Sequence, residues 1–132
     1  MKLYALAYGG TLAVMLVLDL LWIGVVARGL YQADLGHLLR PQPDLLAAAG
    51  FYLLYPVGLV LFAGIAEGNW TRALLFGAAF GFFAYMTYDL TLVAVMRDVP
   101  WRIALIDLAW GTAVSAVASA AGAWTVSRLA SA

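Results

Sequence analysis

A chain of 132 residues in which 66% are hydrophobic and only 11% charged, with a mean hydropathy of +0.96, lies far from the balance of a soluble domain and reads as an integral membrane protein. Seven Lys plus Arg against seven Asp plus Glu leave no net charge, which excludes a polybasic face for nucleic acid or for an anionic membrane surface. No cysteine is present, so disulfides, thiolate metal sites and thiol nucleophiles are excluded as well.

At about 20 apolar residues per crossing, residues 1–132 are expected to form a single all-α domain, a bundle of four transmembrane helices with antiparallel neighbours. The first span is expected over about residues 3–27, closed by Arg28 and Gly29. Its apolar run of about 25 residues is too long for the core of a cleaved signal, and Asp19 interrupts it. The connection that follows, GLYQADLGHLLRPQPD, is the longest, and in it Leu30, Leu35, Leu38 and Leu39 can line one face of a short interfacial helix. The second span, about 45–66, is entered through Pro41, Pro43 and an N-cap at Asp44. The third, about 71–96, follows the turn GNWT at 68–71. Its NWT triplet matches a glycosylation sequon but fits better as a helix cap with an interfacial tryptophan. The fourth begins at Pro100 or Trp101 and covers about 101–127.

Short links between antiparallel helices set relative depth. Asp89 lies nine or ten residues before the turn at Asp98 and Val99, and Asp107 eight or nine after it, so both stand roughly 13 Å below the same helix ends at about 1.5 Å per residue. Asp19, nine residues before Arg28, belongs to that level too. Span two brings Tyr52, Tyr55 and the helix break expected at Pro56 near the same plane. Asp19 and Asp107 each open a D-x-x-W repeat, DLLW at 19–22 and DLAW at 107–110, and residues i and i+3 share a helix face. Each motif therefore presents a carboxyl with an indole N–H, Trp22 or Trp110, and Tyr85 and Tyr88 accompany Asp89.

An Asp at the bilayer centre costs about 2.5–3.5 kcal/mol on insertion scales, and such groups usually face a bundle interior. Three of them on separate helices at one depth point to a ligand, ion or proton site. The competing reading is structural: acids hydrogen-bonded to Trp22, Tyr85, Tyr88, Thr91 or Trp110 at about 0.6 kcal/mol per contact, which gives them no reason to gather. No Lys, Arg or His lies at the depth of the trio, so compensation must come from protons, a hard metal ion, a cationic ligand group, or Arg28, Arg97 and Arg102 reaching down from the rim. At least one carboxyl is expected to hold a proton near neutral pH unless a cation is bound. An all-carboxylate metal site would suit Mg, Ca or Mn, but no compact acidic motif accompanies the trio and no metal is assigned.

Elsewhere the residues fit plainer roles. His37, the only histidine, is read as an interfacial loop residue rather than a proton shuttle. Gly77 with Gly81, and Gly111 with Ser115 and Ser119, allow close helix approach, within the chain or between protomers of a homo-oligomer. Trp70, Trp101 and Trp124 fall at span ends, where aromatic belts occur. Lys2, Arg72 and Arg128 on the side of the termini nearly balance Arg28, Arg40, Arg97 and Arg102 on the other, so loop charge permits insertion in either direction.

The function expected from these residues is a small binding protein or carrier. Its pocket of Asp19, Trp22, Tyr52, Tyr55, Tyr85, Tyr88, Asp89, Asp107 and Trp110 would take an amphipathic or lipid-like small molecule, or protons. The alternatives are a membrane enzyme of lipid or fatty-acid modification with an Asp as general acid or base, and a helper subunit docking another membrane protein through small-residue faces. No cofactor follows from any of them. LDLLWIG (18–24), YQADLGHLL (31–39), FYLLYPVGLVLF (51–62), GFFAYMTYDLTLVA (81–94) and IDLAWGT (106–112) together resemble the bacterial membrane-protein family catalogued as domain of unknown function 2177. The resemblance implies a four-helix protein of the bacterial inner membrane. It brings no catalytic residues to carry over.

Overall fold

The structure, a computed structural model, describes residues 1–130. Helix α1 (Lys2–Leu21) passes through a π-helical turn (Trp22–Ala27) into α2 (Arg28–Leu35); α3 (Leu45–Phe62), a 3-10 turn (Ile65–Glu67), α4 (Trp70–Val95) and α5 (Trp101–Leu129) follow. No strand occurs among the described residues. Four helices, Lys2–Leu35, Leu45–Phe62, Trp70–Val95 and Trp101–Leu129, are long and apolar enough to cross a membrane. This is the expected all-α bundle of four candidate spans.

The boundaries of the first two spans differ from expectation. Arg28 and Gly29 do not close the first helix: the backbone stays helical across the π turn, making one helix of 34 residues. Glycine ends a helix by adopting left-handed backbone, and only Gly64 and Gly68 do so, at φ 68° and 77°. The extension is instead tied to α5, where the Tyr31 hydroxyl donates to Asp107 Oδ1 at 2.8 Å and Arg102 donates to both Asp34 carboxylate oxygens at 2.9 and 3.0 Å. Leu30 and Leu35 thus belong to a helix continuous with the first span, whereas Leu38 and Leu39 lie in the turn after it. The second span stops at Phe62, because left-handed Gly64 turns the chain out of the helix. At Pro56 the helix does not break: α3 runs on for six more residues to Phe62. The missing proline N–H leaves only the Tyr52 carbonyl without its usual partner, which a buried bundle tolerates.

Both expected caps are present. The Asp44 carboxylate accepts from the Leu46 and Ala47 backbone N–H at 3.0 and 3.1 Å, and the Asn69 side-chain oxygen accepts from the Arg72 N–H at 3.1 Å. The Asn69 amide therefore starts α4. Asn69→Ala is expected to cost about 1 kcal/mol, seen as a lower unfolding midpoint in detergent with an unchanged helical spectrum at low temperature.

Helix α5 is the hub. Half of its most apolar window is buried, against 11–22% for the other three spans. Gly77 and Gly81 of α4 lie against Ser115, Ser119 and Gly111 of α5, and Gly111 lies under the Tyr85 ring. On the other flank Gly10 of α1 approaches Gly122 and Thr125, and Gly122 approaches Thr11. Side chains this small let backbones meet where apolar burial gives no drive for association in lipid. Two apolar clusters fill the rest, one around Ala7, Leu59, Ile65, Ala73 and Val126, the other around Met15, Val114 and Ala118, with Tyr52, Tyr55 and Trp110 packed against it. Beyond this second cluster, toward the α4–α5 turn, the close packing opens.

Candidate functional site

The two D-x-x-W motifs meet where α1 packs against α5, and one indole reaches the acid of the other motif. The Trp110 indole N–H donates to Asp19 Oδ1 at 2.9 Å, and the Trp22 and Trp110 rings stack with centroids 4.5 Å apart and planes 7° from parallel. The Tyr52 hydroxyl is also turned toward Asp19. Asp107 takes its hydrogen bond from Tyr31, and the Trp22 indole is turned toward that same hydroxyl. Acid and indole of each motif share a face, as their spacing requires, but only the Trp110 N–H crosses the helix pair to an acid, and Asp107 is served by Tyr31 instead of by Trp22.

Beside this crossing lies an open cavity of about 830 Å³, within the range of small-ligand sites. Of the residues expected to form a pocket, Asp19, Trp22, Tyr52, Tyr85, Asp107 and Trp110 line it. The remaining three do not. Asp89 is only 3% exposed and faces the Asp107 carboxyl from α4, with Oδ2 lacking any hydrogen-bond partner. Tyr55 bonds Ser115 Oγ at 2.7 Å and meets the Tyr85 ring edge-on at 6.1 Å, so it buttresses a lining residue from behind. Tyr88 is 61% exposed on the outside of the bundle. One residue from Asp89 is about 100° of rotation on an α-helix, whereas Tyr85, four residues back, shares the face of Asp89.

Tyr31 lines the cavity as well, and sequence reasoning missed it by assigning it to the connection between the first two spans, outside the acid layer. In an unbroken α-helix residue 31 would stand about 120° round from residue 19, since twelve residues advance about 100° each. The π turn, with its i→i+5 bonds, winds less per residue and brings Tyr31 back over the acids. The aromatic at 31 alone gave no signal of this; the unbroken helical character past Gly29 was the available clue. Tyr31→Phe is expected to loosen α2 by about 1.5–3 kcal/mol, the size of a hydrogen bond to a carboxylate. Amide exchange should then quicken across Arg28–Leu35 while α4 and α5 keep their protection.

Charge around the cavity is divided by depth. Its acids are Asp19 and Asp107, and its cations are the exposed Arg28 and Arg40 at the outer end. Arg40 is paired with Asp44 at 3.4 Å, and Arg102 is held by Asp34. Arg28 makes no ion pair or side-chain hydrogen bond among the described residues. Thr91, an expected partner of the acids, bonds back to the Thr87 and Tyr88 carbonyls of its own helix instead. His37 sits in the loop layer, 3.5 Å from Asp98, with both side chains more than half exposed. Among the described residues no three His, Asp or Glu side chains gather closely enough to hold one metal ion. What the arrangement can do chemically is present two carboxyl groups and several aromatic faces to one guest.

No curated protein and no solved structure matches the chain. A family model described as a predicted membrane protein, DUF2177, matches residues 4–124. With four apolar helices of spanning length and that match over most of its length, the chain belongs to this family and is a multi-pass membrane protein.

Proposed function

We propose that this protein is a small binding protein or carrier whose cavity takes an amphipathic or lipid-like ligand, or protons, at Asp19 and Asp107. One observation carries the reading: acids from two different helices open onto a single aromatic cavity, although hydrogen bonding alone would be served by burying each one separately. The inner membrane of a bacterium is the compartment we propose, since apolar helical spans are the inner-membrane solution and outer-membrane proteins are closed barrels.

The test is to extract wild type, Asp19→Asn and Asp107→Asn in mild detergent and compare the small molecules that travel with each by native mass spectrometry. A ligand held by wild type and lost from both folded variants is the expected result. Identical guests on all three would sink the reading.

A further inference from the structure

The proposed ligand site has a polarity that narrows its guest, and we infer that the group bound at its deep end is an organic ammonium carried on a short apolar chain. This rests on the binding reading and adds the chemical class. Acceptors outnumber donors in the acid layer. Asp19, Asp89 and Asp107 bring three carboxyl groups, and the donors turned toward them are the Trp110 indole and the Tyr31 and Tyr52 hydroxyls. Behind the cavity wall, Asp89, 3% exposed, faces Asp107 with its Oδ2 lacking a donor among the described residues, so Asp107 meets another carboxyl oxygen on its inner side instead of a cation. Unpaired buried oxygens of this kind are costly. A guest that brings positive charge and N–H or polarised C–H groups offsets that cost, whereas an anionic head would add to it.

The rim does not supply the missing charge. Arg28 is nine residues along the helix from Asp19, about 13 Å at 1.5 Å per residue, and Arg40 is engaged by Asp44. A bare metal ion fits poorly, because among the described residues the acids do not converge on one point and most of the wall around them is aromatic or aliphatic. Aromatic walls suit an organic cation. Trp22, Trp110, Tyr31, Tyr52 and Tyr85 surround the space between the acids, and ring faces attract ammonium groups by about 0.5–2 kcal/mol each. Ile23, Ala27, Leu39 and Phe51 give the remaining wall an apolar surface for an alkyl chain.

The experiment uses the full chain in nanodiscs of neutral lipid, titrated calorimetrically with hexyltrimethylammonium, hexylammonium, hexanol and hexanoate. Both ammonium compounds should bind about tenfold or more tightly than hexanol, with hexanoate weakest, and the advantage should vanish in Asp107→Asn. Hexylammonium ahead of hexyltrimethylammonium would assign the selectivity to hydrogen bonds with the carboxyl groups, and the reverse order would assign it to the rings; either is a form of the proposal. Hexanol or hexanoate binding as tightly as the ammonium compounds overturns the inference and leaves the binding reading standing. Failure of all four to bind above an Asp19→Asn, Asp107→Asn double variant also overturns the inference, and the binding reading then stands or falls on the co-purification test. The comparison among probes needs only wild type, so a poorly folding variant does not blunt it.

Discussion

Replacing Gly81 with leucine is expected to abolish the folded bundle, and Gly81→Ala to destabilise it by about 1–3 kcal/mol, as overpacking of a close interface does. A methyl group at Gly81 would stand 2.5 Å from Ser115 Cβ and 2.6 Å from the Gly111 carbonyl oxygen; at Gly77 it would stand 2.6 Å from Ser119 Cβ and 2.8 Å from the Ser115 carbonyl oxygen. Backbone oxygens cannot swing aside as a lysine tip can, so α4 and α5 would have to separate along several turns. Gly9 and Gly50 are the controls, each with nothing within 4 Å of an added Cβ. There alanine should be neutral or stabilising by up to about 1 kcal/mol, from helix propensity alone. Unfolding midpoints in detergent for the four alanine variants decide the matter, and Gly77→Ala or Gly81→Ala matching Gly9→Ala would show the α4–α5 seam to be looser than described.

The same geometry bears on the small-residue stripes as docking faces. Gly111, Ser115 and Ser119 are buried and lie against α4 within one chain, so enlarging them disturbs the protein's own fold before it disturbs any partner. A helper-subunit reading would have to be tested on the lipid-facing side of α5, at exposed Val117 or Trp124.

Helix number, helix type and the nearness of Asp19, Asp89 and Asp107 to one another were legible from the chain because they depend on local quantities: the length of apolar runs, the rise per residue and the shortness of two connections. The caps at Asp44 and Asn69 were legible for the same reason, each being a contact between neighbours in sequence. Less accessible was anything that depends on rotation about a helix axis across a defect. The π turn between Trp22 and Ala27 changes the phase of everything after it, which is why Tyr31 stands over the acids and not on the far side of the helix. Which acid takes which indole was also hidden. Spacing i, i+3 puts Asp19 and Trp22 on one face, but only the offset between α1 and α5 decides that Trp110 serves Asp19 and Tyr31 serves Asp107.

Substitutions at Asp19 and Asp89 should separate a site from a structural pin, because the two acids differ in what they leave behind. Asp19→Leu removes the acceptor of the Trp110 N–H and is expected to cost about 1–3 kcal/mol for a donor left unpaired away from water. Asp19→Asn keeps a carbonyl oxygen where Oδ1 stands, so the indole stays bonded and the unfolding midpoint should hold near wild type; ammonium binding, which needs the charge, should fall about tenfold or more. At Asp89 the expectation has the opposite sign for stability. Its Oδ2 has no donor, and an amide in its place brings N–H groups toward the Asp107 carboxyl it faces, so Asp89→Asn should match or exceed wild type by up to about 1 kcal/mol. Purely structural acids predict another pattern: Asn variants would shift the midpoint, and guest binding would not follow charge. Three midpoints and three binding isotherms measured on the same preparations tell the two apart, and a binding constant unmoved by Asp19→Asn would leave the carboxyl groups with packing as their only work.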